Sequence, residues 1–402
     1  MERRTFNKLL AATALSAVTF GSKMVSAADG KITIGAIGPK TGPLAAGADI
    51  TFWPNLRLWA DQVNKAGGID VGGKKMPVAI IEYDDKTDQG EHVKLAQRLA
   101  EQDKADFVFA PYSTGLTLAS APIYARYDYP IIAVSAVADN LEALTARYPS
   151  LFFTLGTSAG FVEGVRDVLN EMRDKGVIGK KVAMVNVADA FGIELSEVAR
   201  KVLPAAGYEL VYDKSYPLGT PDLAPVMQGV INSKPDAFVA WSYPPDTFGL
   251  TQQAIAQKLN VKAYYNAVAT CFPGYEKAFG SKIENVLGAG GTNPDDPKTA
   301  AYRKAHLDFS GKEADYWASA NTYASLEILA QAITGAKTID RKAVTKYIKE
   351  NSFDTVMGKI TFKNNVSYKF WTVGQWQGGK FRGVKGVGLD GAVAARPKEN
   401  WN

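Results

Sequence analysis

Gly156-Thr157-Ser158-Ala159-Gly160 has the residue types for covalent chemistry. It matches G-x-S-x-G, follows the strand-like run Leu151 to Leu155 and precedes a helical pattern, which is the setting of a nucleophile elbow. A serine hydrolase also needs an imidazole base, and the chain has only His92 and His306. His306 follows Ser158 with aspartates between, so the order Ser, Asp, His is available. It stands, however, in the polar helical stretch Tyr302-Arg303-Lys304-Ala305-His306, where a solvated surface histidine is expected. No His-Gly-Gly loop supplies an oxyanion hole either. An α/β hydrolase using Ser158 is therefore the rival reading, and the expectation is a protein that is not an enzyme and has no catalytic residues.

A second candidate is GAIGPKTGPLAAG, Gly35 to Gly47, directly after the alternating run Lys31-Ile32-Thr33-Ile34. A dinucleotide site wants G-x-G-x-x-G at such a turn and an acid about 20 residues on. Here Pro39 and Pro43 interrupt the glycines and remove two backbone N–H donors where a phosphate cradle needs them. Two widely separated histidines and one cysteine give no zinc spacing. The acidic turns Pro294-Asp295-Asp296-Pro297 and Tyr83-Asp84-Asp85 lack the spacing of a calcium loop. Neither a cofactor nor a metal is expected. Cys271 is the single cysteine, so no internal disulfide can form, and it reads as a small buried apolar thiol.

The chain of 402 residues suits two domains, and 46% hydrophobic with 22% charged residues is a globular composition. Residues 1–27 read as an export signal: a basic start, an apolar run from Leu9 to Phe20, and Val25-Ser26-Ala27 as the cleavage site. Arg3-Arg4-Thr5-Phe6-Asn7-Lys8 fits the twin-arginine pattern. This segment holds Arg3, Arg4, Lys8 and Lys23 against Glu2, so its removal takes the formal charge from +5 to +2. A surface so nearly balanced gives no electrostatic case for nucleic acid. No later apolar stretch approaches the roughly 20 residues of a membrane span.

Two series of alternating elements must position whatever site exists. The first has strands Ile32 to Ile37, Met76 to Tyr83 and Phe107 to Ala110, with helices Asn55 to Lys65 and Gly90 to Gln102 between them. The second has strands Val182 to Val187, Glu209 to Tyr212 and Ala237 to Trp241, with helices Gly192 to Leu203 and Leu223 to Ile231. Such alternation means parallel strands with crossover helices. A long helix from Ala314 to Thr334 follows, and then β-like segments Lys359 to Lys363 and Phe370 to Trp376.

Several segments in order resemble the periplasmic solute-binding proteins of branched-chain amino acid (Leu/Ile/Val-binding) type, the soluble receptors of certain ABC importers. They are TGPL at 41–44, NKAGGI at 64–69, YDDKTD at 83–88, Ser113-Thr114, PIIAVSA at 130–136, DAFG at 189–192 and GKITF at 358–362. The resemblance spans almost the whole chain after the signal. It implies an α/β fold of two doubly wound parallel-sheet lobes joined by three hinge crossovers, the type I periplasmic binding fold. By analogy one lobe takes 28–153 plus 287–356 and the other 154–286 plus 357–402. It also implies a periplasmic, monomeric receptor that closes on a small solute and delivers it to the membrane permease of an ABC importer. A sensory input module of the same fold is the alternative use.

Ligands of open α/β sheets sit at the C-terminal edges of the strands. On that rule and the resemblance, Ser113, Thr114, Ser135, Ala136 and Val137 are expected to hold a carboxylate through hydroxyls and free N–H groups. Tyr112, Phe191 and Tyr243 follow strands and are expected to enclose an apolar body, with Trp53 beside them. Tyr264, Tyr265 and Trp241 belong to the same crowd of aromatic residues. Amino-acid-binding members usually carry an acid after the strand that follows Trp241, but that stretch here is Ala263-Tyr264-Tyr265-Asn266-Ala267-Val268-Ala269. Their threonine after Ser-Ala is replaced by Val137, and Gly47 stands where they often place an aromatic residue, leaving space for a bulkier solute or Trp53. Either Asp246 reaches in to hold an ammonium group, for a branched-chain or other apolar amino acid, or the ligand is an aromatic acid or similar carboxylate.

Overall fold

The computed structural model describes residues 30–401; the expected signal segment 1–27 and its twin-arginine motif lie outside the described residues. Ile32–Gly38 is the central strand of a first parallel sheet, flanked by Val78–Asp84 and Phe107–Val108. Beyond them Ile131–Ala133 pairs in parallel with Leu151–Phe153. The run expected as one strand from Met76 is divided at Pro77, which has no N–H for the ladder. Met76 instead ends a small hairpin, Ile69–Val71 with Lys74–Met76, and the sheet strand starts at Val78. Helices Trp53–Lys65, Gln89–Glu101 and Thr114–Arg126 follow successive strands of this half.

The second sheet has seven strands, in the order Lys380–Val387, Phe370–Gln377, Leu287–Ala289, Ala263–Asn266, Ala237–Trp241, Lys181–Val187, Glu209–Tyr216. The last five are parallel, and the first two form an antiparallel hairpin added at one edge. The strands Ala237–Trp241 and Phe370–Gln377 are buried at every residue, as expected where both faces are covered.

The chain passes between the two halves three times. It leaves the first after Phe153 and enters helix Ser158–Asp174, which packs on the edge hairpin of the second sheet. It returns after Ala289 into helices Pro297–Ser310 and Ala318–Ala336, which pack on Trp53–Lys65, and passes over again before Phe370. The strand Leu287–Ala289 lies inside the seven-stranded sheet, so the second passage comes after it instead of at 287. The hairpin Ser352–Thr355 with Gly358–Thr361 spans the expected boundary at 357.

The expected helix from Ala314 starts only at Ala318. Asp315 is the cause: its carboxylate accepts the N–H groups of Trp317 (2.7 Å), Ala318 (2.6 Å) and Ser319 (2.8 Å), which fixes the turn just before the helix.

Candidate ligand-binding cleft

The strand ends of the two halves face each other across an enclosed cavity of about 60 Å³. From the first half, Tyr112 and Ser113 follow Phe107–Val108, and Val134, Ser135 and Val137 follow Ile131–Ala133. From the second, Phe191 opens the helix after Lys181–Val187, Tyr243 follows Ala237–Trp241, and Tyr265 stands on Ala263–Asn266. Among the described lining residues there is no Asp, Glu, Lys, Arg or His.

The polar end is built by hydroxyls that brace one another. Ser113 has φ 80°, a strained value for a residue with a side chain, and its N–H donates to Ser135 Oγ at 3.0 Å. Ser135 Oγ in turn donates to the Pro111 carbonyl at 3.2 Å. In the hydrogen-bond network of the described residues, the N–H groups of Thr114, Ser135 and Ala136 donate to nothing. Thr114 itself does not line the cavity: its hydroxyl accepts the Val137 N–H at 3.1 Å and so ties the two loops together. Ala136 is buried behind the wall.

The aromatic end is framed by Phe191 and Tyr243, whose rings lie 5.1 Å apart. The Tyr243 hydroxyl donates to Asp189 at 2.9 Å, and Asp189 also accepts the Gly192 N–H at 2.9 Å as a helix cap. Burial, reinforced by the Asp189 charge, pushes the Tyr243 phenol well above its usual range, and burial likewise raises Asp189. Burial also raises the Tyr112 phenol.

Two expected site residues are elsewhere. Trp53 is buried against Phe52 in edge-to-face contact at 4.7 Å, with its indole N–H on the Pro39 carbonyl and Lys40 over its outer face. Asp246 is engaged as a helix cap, accepting the Tyr243 N–H at 3.3 Å, and it does not reach the cavity. The space expected at Gly47 is also filled: a Cβ there would overlap the Tyr112 hydroxyl and meet Pro244 of the other half at 3.1 Å.

Among the competing motifs, His306 departs from expectation. His306 is fully buried, not solvated; its Nδ1 bonds the Lys312 carbonyl at 2.9 Å, and burial lowers its pKa. Ser158 opens helix Ser158–Asp174 and donates to Glu194 at 3.0 Å, so serine and imidazole have separate partners. In the glycine-rich loop, Lys40 N–H and Thr41 N–H donate to the Asp84 carboxylate at 2.8 and 3.2 Å, which puts an acid where a phosphate would have to be. Cys271 is buried with its thiol 3.6 Å from Asp315.

Phe161, Leu155, Leu195, Trp317, Thr322 and Tyr265 also line the cavity. Most belong to helices or crossovers, where no strand end marks them. Trp317 lies on Gly290, whose φ of 84° and missing Cβ allow the contact. Gly290 itself follows Ala289 at the start of a crossover.

Residues 31–380 match the family described as periplasmic binding protein. The chain belongs to that family. Over 384 residues it is 26% identical to Leu/Ile/Val-binding protein BraC3 of Rhizobium johnstonii, covering 93% of this chain and 98% of the relative. A solute-binding protein of an ABC transporter from Rhodopseudomonas palustris BisB5, in complex with 3,4-dihydroxybenzoic acid, superimposes with TM-score 0.76 at 20% identity, over 91% of this chain and 99% of that one. The branched-chain amino acid transporter substrate-binding protein LivJ of Streptococcus pneumoniae, in complex with isoleucine, gives TM-score 0.75 at 21% identity, over 89% and 99%. The chain is thus a periplasmic binding protein with the type I fold, in a family of substrate-binding proteins rather than enzymes.

Proposed function

We infer that this periplasmic binding protein is the receptor of an ABC importer for a small monocarboxylate with an apolar, aromatic body. The observation that carries the reading is the wall of the cavity: hydroxyls and the free Ser135 N–H at one end, rings at the other, and no ionised side chain between. A carboxylate gains charge-assisted hydrogen bonds from the Ser113 hydroxyl and the free Ser135 N–H. The apolar body gains burial against Phe161, Phe191, Tyr243 and Trp317. A buried ammonium group would instead need an anionic partner in the wall. The complex of the R. palustris relative with a dihydroxybenzoic acid supports this choice.

In this reading the three passages of the chain are hinges, the two halves close over the solute, and the closed monomer is what the permease recognises. Export through the twin-arginine route delivers it to the periplasm. The second reading, an apolar amino acid as ligand, is favoured by Asp189, the carboxylate that Tyr243 brings to the cavity's edge, and by likeness to the Leu/Ile/Val-binding relative. Calorimetric titration of the processed protein with benzoate, leucine, isoleucine and valine separates them. Saturable binding of benzoate without the amino acids is the expected result. Binding of the amino acids alone overturns the aromatic-acid reading.

A further inference from the structure

On the strand Ala263–Asn266 successive side chains alternate between the sheet's two faces. Tyr264 points to the side where Phe238 stacks on it at 5.0 Å and Trp401 meets it edge-on at 4.9 Å. Its hydroxyl has partners there, Thr251 at 3.3 Å and the Asn266 side-chain amide at 3.2 Å. Tyr265 points to the other side, packs edge-on against Trp241 at 5.5 Å and lines the cavity. It is 1% exposed, and its hydroxyl is buried with no hydrogen-bond partner. Tyr112 and Tyr243 line the same cavity without being left in that state.

A buried hydroxyl with no partner is costly, and a phenylalanine would fill the same space without that cost. The orphan is therefore informative about what completes the site. We propose that Tyr265 is a specificity-determining residue whose hydroxyl hydrogen-bonds a polar substituent on the body of the ligand, so that the receptor selects ring-hydroxylated aromatic monocarboxylates over unsubstituted ones. This rests on the aromatic-acid reading of the cavity and adds to it the ligand's second polar group. The phenol O–H can donate to the ligand's oxygen or accept from its O–H, so a hydroxyl substituent satisfies both sides. A site built to bond a ligand hydroxyl rejects the analogue that lacks it, because the protein group is then left unpaired.

The test is titration calorimetry of the wild-type protein and Tyr265→Phe with benzoate and with 2-, 3- and 4-hydroxybenzoate. At least one hydroxybenzoate should bind the wild type about tenfold or more tightly than benzoate, and Tyr265→Phe should abolish that preference, by weakening hydroxybenzoate binding, by tightening benzoate binding as the unpaired hydroxyl is removed, or by both. A thermal melt of the variant close to wild type verifies that it is folded, and if Tyr265→Phe unfolds, Tyr265→Met takes its place. Equal affinity of the wild type for all four acids overturns this inference and leaves the aromatic-acid reading standing. So does a hydroxyl preference that survives in the variant. Binding of none of the four overturns that reading and this inference with it.

Discussion

Gly47 and Asp246 decide opposite questions about the cleft, one of space and one of charge. Gly47 lies inside helix Ala45–Thr51, where alanine is intrinsically better by about 0.5–1 kcal/mol. The glycine is required only because the Tyr112 hydroxyl and Pro244 close on it from two sides. Gly47→Ala is therefore expected to lower the melting temperature of the ligand-free protein, since the buried Tyr112 of the same half must shift, and to weaken ligand binding at least tenfold, read by thermal melts and titration calorimetry. Asp246 was a plausible ammonium partner by sequence, yet it is buried as a cap. Burial, opposed by the Tyr243 N–H, raises its pKa to about 6. A carboxyl raised in the folded state is protonated on folding, so its contribution to stability is complete below its ordinary pKa and is lost as pH rises through about 6. Asp246→Asn keeps an acceptor for the Tyr243 N–H and removes the charge. Denaturant unfolding across pH 4 to 8 should find the variant's stability less dependent on pH, with a gain over wild type of up to about 3 kcal/mol at pH 7.5; a variant less stable than wild type at pH 7.5 contradicts the assignment.

Helix Ala318–Ala336 carries Ala318 and Thr322 into the cavity wall, and its start is fixed by one side chain. Asp315 satisfies three N–H groups and bonds the Ser319 hydroxyl. Asp315→Ala should cost about 2 kcal/mol or more in chemical denaturation. It should also weaken ligand binding several-fold, since Trp317 loses the bond that sets its backbone. The apolar spacing of the helix reads continuously from Ala314, and only the buried cap, a tertiary arrangement, reveals why the turn is at 315–317. Most strands of the two sheets were legible from alternation with helices, because a parallel strand buried on both faces is a short apolar run, but Leu287–Ala289 and Lys380–Val387 were not. Tyr112, Ser113, Ser135, Phe191 and Tyr243 were legible for the same reason, since each follows a strand end. Phe161, Trp317 and Thr322 were not, because they enter from helices or crossovers whose approach is set by packing. Tyr265 was visible as one of several aromatic residues, but which of Tyr264 and Tyr265 faces the cleft depends on the strand's parity in the sheet.

At the scale of the whole molecule the two halves touch directly as well as through the cavity. Glu194, on helix Ala190–Ala205 of the second half, accepts the Asp139 N–H at 2.6 Å from a loop of the first half and the Ser158 hydroxyl at 3.0 Å beside the first passage. Glu194 does not line the cavity. On the proposed closure of the two halves it influences affinity through the balance between open and closed arrangements, because a ligand's apparent affinity scales with the fraction of binding-competent protein. Glu194→Ala removes the acceptor that joins the halves and touches no ligand contact. Its expected effect is a several-fold rise in Kd with a small fall in the melting temperature of the ligand-free protein, because the Asp139 bond exists only when the halves are together whereas the Ser158 bond lies within the second half. Small-angle scattering gives the independent readout. The wild type should contract on adding a saturating ligand, and Glu194→Ala should reach the same compact state only at correspondingly higher ligand concentration. An unchanged Kd with unchanged scattering would mean that the bond contributes nothing to closure and that Glu194 serves only to hold the first turn of helix Ser158–Asp174.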